Sequence, residues 1–324
     1  MIDPKTMQAW YATEYGGPEV LECRTVPVPE IGSHDVLVQV QATTVSAADR
    51  RIRAGDFPRG MGLMGRLFFG LRRPRQAILG AELTGRIVAI GSKVTAFSVG
   101  DDIIAMTGIK LGAHAEYVAL RDTGLIVKRP VDMAIETAAA LSFGGLTARD
   151  YLRRANLQRG ERILVIGASG AVGSAIVQLA AVANADVTTV TSAANLDMVR
   201  GLGAHTVIDY TTQDVSNLGQ SYDVIADCVG TLAFATAIPL LLEGGRYLAI
   251  NGDLRDMLAR HQGTRRTISG PAAERLDDLQ ALVALVLSGQ FQPVIDSVLP
   301  FADLPQAHAR ADTKRKRGSI VITR

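Results

Sequence analysis

Cysteine is scarce in this chain: Cys23 and Cys228 are the only two in 324 residues, and they lie far apart. Such spacing supplies neither a disulfide framework nor the clustered thiolates of a structural metal site. An excess of one charge is also missing, since 34 Lys and Arg face 32 Asp and Glu for a net +2. The total therefore carries no electrostatic footprint for nucleic acid, and none is expected as a partner. No apolar run reaches membrane-spanning length, and the opening MIDPKTMQAWYATEYGG lacks an uninterrupted apolar core of the kind a secretory leader has. The sequence contains no internal repeat and no low-complexity tract. These absences leave a soluble, cytoplasmic globular protein as the expectation, with apolar content of 48% providing ample core. The length suggests two domains.

The most informative stretch is ERILVIGASGAVGSAIVQLAAV, residues 161–182. A short apolar run, Ile163 to Ile166, enters a glycine-rich turn and continues as an apolar-periodic helix. This is the opening of a βαβ unit that binds a dinucleotide. Gly170 would let the backbone approach a diphosphate with no Cβ in the way, and Gly173 would let the helix lie close on the sheet. The helix N-terminus then points free N–H groups at the anion. Candidate contacts are Ala168, Ser169, Gly170, Ala171 and Val172; Ala168 stands where the first glycine of such turns is usual, with Gly167 just before it.

Either side of this unit the texture differs. Residues 7–45 read as short, partly alternating strands broken by Gly16-Gly17-Pro18, Pro27, Pro29 and Gly32. SAADRRIRAGD predicts a brief helix ending at Gly55, and further strands run to about residue 121. From Pro130 onward helix and strand alternate: ETAAALSFGGLTARDYLRRANL, interrupted by Gly144-Gly145, then strands at 162–167, 186–191, 205–209, 222–227 and 246–252. Helices separate most of them, including one near 232–242, which argues for a parallel, doubly wound sheet. After a helix at 277–290 the chain returns to β in PVIDSVLPF and GSIVIT. The expected organisation is an α/β protein in which 122–290 form a nucleotide domain inserted between two parts, 1–121 and 291–324, of a β domain.

A domain that prefers NAD places a carboxylate at the end of its second strand, on the ribose 2′-hydroxyl. Here that position reads Thr191-Ser192-Ala193-Ala194-Asn195, with no acid. The gap admits a 2′-phosphate, so NADPH is the expected cofactor and NADH the alternative. Ser192 and Asn195 could donate hydrogen bonds to that phosphate, and Tyr210 ends the next strand nearby. No basic residue sits in the turn; Arg200 or Lys314 would have to supply the charge.

The segments EYGGPEVLECRTVPVPEIGSHDVLVQV, AIGSKVTAFSVGD, AALSFGGLTA, GASGAVG, LGAHTVIDY, YDVIADCVG, LEGGRYLAING and RGSIVIT together resemble the medium-chain dehydrogenase/reductase superfamily. The resemblance covers nearly the whole chain and is closest to the zinc-free quinone oxidoreductase, or zeta-crystallin-like, branch. It implies a Rossmann domain inserted in a GroES-like β-barrel domain, with the cofactor in the cleft between them. Zinc-dependent relatives use Cys, His and Cys or Asp as catalytic ligands, and the matching positions here are Ser46, Ala81 and Phe143. These are not a competent zinc set, so no metal is expected. The resemblance further implies Thr147 and Asn251 near the nicotinamide, with the backbone around Cys228 and Val229 along its ring. It also implies a homodimer formed along the edge of the nucleotide sheet, near RYLAING.

Zinc in such enzymes polarises a carbonyl. Without it, a quinone or an α,β-unsaturated carbonyl is the easier acceptor, because hydride arrival yields a delocalised anion that a modest acid can protonate. The catalytic task then becomes alignment of two flat partners. Candidate donors are Ser46, Asp49 and Tyr15, although a helix cap explains the first two equally well and packing the third. The family usually has Asn-Pro where Ser46-Ala47 stand. Cys228 reads as buried and inert, and His114, His205 and His308 read as scattered. Two other functions stay open: a metal-free reductase of simple carbonyls, and a nucleotide-binding protein with little turnover. Residues 57–76, FPRGMGLMGRLFFGLRRPRQ, are basic and rich in Met, Phe and Gly. They read as a surface excursion, as a flap over the acceptor, or, with least weight, as a contact with an anionic membrane.

Overall fold

The computed structural model describes residues 5–324; the first four residues of the opening segment lie outside it. The chain begins with an antiparallel pair, β1 (Thr6–Ala12) and β2 (Leu21–Pro27), joined across the Gly16-Gly17-Pro18 break. β3 (Asp35–Val45) follows, then α1 (Ala47–Ala54) and α2 (Gly62–Phe69), then β4 (Glu82–Ile90), β5 (Asp102–Met106), β6 (Tyr117–Arg121) and β7 (Leu125–Lys128). β3 is the spine of this half. Its eleven residues are mostly buried, and register shifts after Leu37 and after Val40 bend it where it pairs β4. Bulges of this kind turn a sheet into a barrel wall. The bend lets β3 pair β6 near its start and a strand from the far end of the chain near its finish. β7 pairs β5, so this sheet continues beyond residue 121, where the sequence reading ends the first β portion.

The second half opens with α3 (Ile135–Ala139) and α4 (Ser142–Ala155). Gly144 and Gly145 do not interrupt α4 as the sequence suggests; the break falls before it, between Ala139 and Ser142. A Cβ on Gly144 would come within 2.6 Å of Ala171 O, and one on Gly145 within 2.7 Å of Leu282 Cδ1. Both glycines therefore serve close helix approach.

Next come β8 (Arg162–Ile166), α5 (Ala171–Val182), β9 (Asp186–Thr191), α6 (Leu196–Gly201), β10 (Thr206–Asp209) and β11 (Tyr222–Asp227). α7 (Phe234–Ala237), β12 (Leu241–Ala249), α8 (Leu254–Leu258), β13 (Arg266–Ser269) and α9 (Leu276–Leu287) complete the unit. The helix expected near 232–242 is only one turn long, because Pro239 cannot donate the next helical bond and the chain tightens into a 3₁₀ turn. The six strands are parallel, in the order β10-β9-β8-β11-β12-β13. That is the doubly wound dinucleotide order, with the switch point beside β8.

Alternation along β8 supplies both faces: Ile163 and Val165 pack with the core under α4, α5 and α9, and Leu164 and Ile166 with the core on the other side. β12, which carries RYLA, is not the edge. β13, unforeseen in the sequence, covers it and stands outermost.

The chain then returns to the first sheet through β14 (Ile295–Pro300), α10 (Leu304–Asp312) and β15 (Ser319–Thr323). β15 pairs β3 antiparallel, Ile320 opposite Val45, and β14 parallel. No helix among the described residues is long and apolar enough to cross a membrane.

Candidate active site

The turn after β8 is built by backbone needs. Gly167 has φ +78°, which favours glycine, and a Cβ on Gly173 would overlap Gly167 O. The first turn of α5 is thereby drawn down onto the turn, with Gly170 as its N-cap and no side chain capping it. A Cβ on Gly170 would meet only Gly167 O, at 3.6 Å. The space in front of the α5 N–H groups is therefore open, which suits a diphosphate. Ala168 is buried beneath this turn, and Val229 Cγ1 packs over Gly167.

At the end of β9, Asn195 donates through Nδ2 to Ser192 Oγ (3.1 Å), while its buried Oδ1 has no partner among the described residues. Such an orphaned acceptor suits a ribose hydroxyl. Tyr210 donates its N–H to Thr191 O at 3.2 Å and leaves its ring exposed beside this end of the strand. Of the basic residues expected there, Arg200 pairs with Asp197 at 2.9 Å, and Lys314 is a lesser partner, after Arg50, in holding the Asp56 carboxyl below the usual range. Arg317 also reaches the turn, donating to Ala194 O at 2.9 Å.

Asp227 at the end of β11 is fully buried and accepts from the N–H groups of Val229 (2.9 Å), Gly230 (2.7 Å) and Leu232 (2.7 Å). It shapes the loop that carries Cys228 and Val229. Cys228 is partly buried by surface, and burial of its sulfur pushes the thiol above its usual range. Asn251 donates to Val229 O (2.8 Å) and accepts from Arg51 of α1, so it links the two halves across the cleft. Thr147 donates its hydroxyl to Phe143 O at 2.7 Å within α4.

The three donor candidates are otherwise engaged. Ser46 and Asp49 form a capping box on α1: Ser46 N and Oγ both donate to Asp49 Oδ2, at 2.8 and 2.6 Å. Asp49 Oδ1 accepts from Gly80 N at 2.8 Å, and the carboxylate is fully buried. Tyr15 donates to Gly70 O at 2.6 Å under the Arg66 guanidinium, and burial raises its phenol. These are the helix-cap and packing arrangements that the sequence also allowed for the three.

His114 and His308 are not scattered: their buried rings meet edge to face at 5.7 Å, and burial lowers both below the usual imidazole range. His114 Nε2 lies 2.9 Å from Thr44 O.

Two ionisable groups missed by sequence reasoning stand here instead. Glu82 follows Ala81 and is buried; its carboxylate accepts from Thr44 Oγ1 (2.6 Å) and Phe143 N (2.7 Å). Burial is the main cause that pushes it up to about 7. Lys316, on the segment leading into β15, is lowered to about 8, chiefly by burial, against the favourable field of Asp296, Glu82 and Asp49. Its ammonium donates to Gly318 O, and Gly318 N donates to Ser169 O at 2.7 Å. Lys316 thus belongs to a segment that joins the glycine-rich turn to the strand beside Ser46. Only the GAE tripeptide and the basic run near the C-terminus hinted at this pair.

Because Glu82 binds its proton more tightly folded than unfolded, it favours the fold below about pH 4.5, and that contribution is lost as pH rises through about 7. Glu82→Gln is expected to remove this slope, gaining at most roughly 3 kcal/mol at pH 8 relative to pH 4.5. Denaturant titrations of both proteins at the two pH values would show it; parallel pH profiles would contradict it.

Residues 32–130 match the family model described as alcohol dehydrogenase GroES-like domain, and residues 202–322 the one described as zinc-binding dehydrogenase. Among the described residues, no group of three or more His, Cys, Asp or Glu side chains could hold a metal ion. The chain is 30% identical to a chloroplastic NADPH-dependent alkenal/one oxidoreductase of Arabidopsis thaliana, over 98% of this chain and 80% of that protein. It is 31% identical to a chloroplast envelope quinone oxidoreductase homolog of the same plant, over 98% of each. The solved quinone oxidoreductase of Coxiella burnetii superposes with a TM-score of 0.87 at 25% identity, covering 99% of this chain and all (100%) of that one.

Proposed function

The chain belongs to the medium-chain dehydrogenase/reductase superfamily, in its quinone oxidoreductase-like branch, and from that premise we propose an NADPH-dependent reductase of quinones and α,β-unsaturated carbonyls. The observation that carries this reading is the open cradle at Gly170, set beside a cleft whose zinc-ligand positions hold Ser46, Ala81 and Phe143. The residues present fit a dinucleotide: Gly170, Ala171 and Val172 would take its diphosphate on backbone N–H groups, and Asn195 has an unpaired acceptor for a ribose. Ser192 and Arg317 would hold the 2′-phosphate, with Tyr210 beside it. Thr147, Val229 and Asn251 would flank the nicotinamide, which supplies hydride when bound. The chain's own contribution is to orient and enclose the partners, and Lys316, tied through Gly318 to the glycine-rich turn and lying in the field of Glu82 and Asp49, would serve as the acid for the anion left on the acceptor.

An absorbance panel of quinones, enones and matched saturated ketones, with metal analysis of the same sample, tests the reading. Turnover confined to quinones and enones in metal-free protein is expected. A requirement for stoichiometric zinc, or preference for saturated ketones, would overturn it.

Arg317→Glu is expected to reverse the cofactor preference, raising the KM for NADPH about tenfold or more while changing that for NADH little. Equal effects on both cofactors would remove Arg317 from the phosphate site. The expected homodimer would use the open edge of β13 in place of RYLAING, and sedimentation of a variant carrying proline at Thr267 would test that edge.

A further inference from the structure

α2 is apolar on both sides. Its inner side is seated: a Cβ on Gly65 would overlap the Phe57 ring, Phe57 stacks on Phe69 at 5.6 Å, and Phe69 packs onto the barrel-side core. Tyr15 fastens the end of the helix through Gly70 O. Yet the outer side carries Leu63, Met64, Leu67 and Phe68, followed by Leu71, with exposures of 74, 57, 57, 57 and 62%. Leu63, Met64, Leu67 and Phe68, at i, i+1, i+4 and i+5, share one face of the helix, and Leu71 follows just past its end. Among the described residues, nothing covers that row.

The charge along this segment has one sign. No Asp or Glu occurs from Phe57 to Ala81, while Arg59, Arg66, Arg72, Arg73 and Arg75 all lie there and are exposed. Arg66 and Arg75 donate to Leu71 O (3.2 Å) and Leu67 O (3.3 Å), so both guanidinium groups are held against the helix. Among the described residues, none of the five pairs with a carboxylate. α8, whose Leu254 N donates to Arg59 O at 3.2 Å, adds exposed Met257 and Leu258 beside exposed Arg255.

An apolar row ringed by unpaired arginines is the arrangement of an interfacial helix, in which side chains enter the acyl boundary and the cations meet anionic headgroups. A second copy of the chain would bring five arginines against five. A flap would not need its inner face anchored by Tyr15, Phe57 and Phe69. We propose that the outer face of α2 docks the protein on an anionic lipid surface, the reading of residues 57–76 that carries least weight in the sequence alone.

Co-sedimentation of the full chain with phosphatidylcholine vesicles, with and without phosphatidylserine, tests this at low and high salt. Binding only to the anionic vesicles, weakened by salt, is expected. Arg72→Gln/Arg73→Gln/Arg75→Gln should lower the partition coefficient on the order of a hundredfold. Leu63→Asp/Leu67→Asp should abolish binding while leaving the melting temperature and the sedimentation coefficient of the free protein unchanged. The proposal is overturned by failure to bind either vesicle, or by binding that both variants retain. It is equally overturned if the leucine variant converts a self-associated protein into a smaller species, since the row would then be a contact between copies.

Discussion

Gly170→Val should weaken NADPH binding by about a hundredfold or more and leave the fold intact. The position has φ −78° and ψ 171°, so any L residue adopts it without strain. A Cβ there meets only Gly167 O, at ordinary contact distance, and the added methyl groups would project into the space in front of the α5 N–H groups. They would stand where the diphosphate must lie, and a misplacement of about 1 Å there is costly. Gly173→Ala provides the contrast. Its Cβ would run into a backbone carbonyl that cannot rotate away, so the turn itself must shift, and both binding and stability should fall, the latter by about 1–3 kcal/mol. Fluorescence titration with NADPH, alongside thermal melts, separates the two. A Gly170→Val protein that melts like the parent and binds within threefold of it would remove the dinucleotide from this turn.

Lys316→Met should lower the rate of enone reduction by about 10²- to 10⁴-fold, the usual contribution of a positioned acid. Quinone reduction should fall less, because the quinol anion is a weaker base than an enolate and water can protonate it. The native enzyme should lose enone activity as pH rises through about 8, when the ammonium gives up its proton. The methionine variant should show no such limb. Lys316→Arg keeps the positive charge but holds its proton too firmly to donate, so it should behave like methionine if proton delivery is the role. Recovery of the native rate by arginine would instead mean that the charge acts through the field alone. A pH limb near 8 that survives in Lys316→Met would assign it to another group.

Both predictions draw on different parts of the chain, and that difference follows how the site is encoded. The strand, turn and helix of 161–182 are contiguous, so the need for small residues at Gly167, Gly170 and Gly173 is written in one short stretch. The second-strand turn, Thr191 to Asn195, is legible for the same reason: its missing carboxylate lies a fixed distance along the chain. Short apolar strands separated by helices also carry the parallel sheet, since each element is set by its own local period. Ser46 and Asp49 were readable as a cap or as an acid, and local spacing could not choose, because S-x-x-D serves either role.

What the sequence determined, then, was what rests on near neighbours: the nucleotide turn, and the alternation of strand and helix around it. Tertiary structure alone decided which charges meet. Arg317 reaches Ala194 and Lys316 enters the field of Glu82 and Asp49 because β15 crosses back to pair with β3, while Arg51 of α1 finds Asn251 just past β12. It also decided that β13 covers β12 and that the apolar row of α2 faces outward. The physical reason is that Coulomb forces and burial depend on distance through space, and a strand that returns from the other end of a chain brings together groups no local pattern relates.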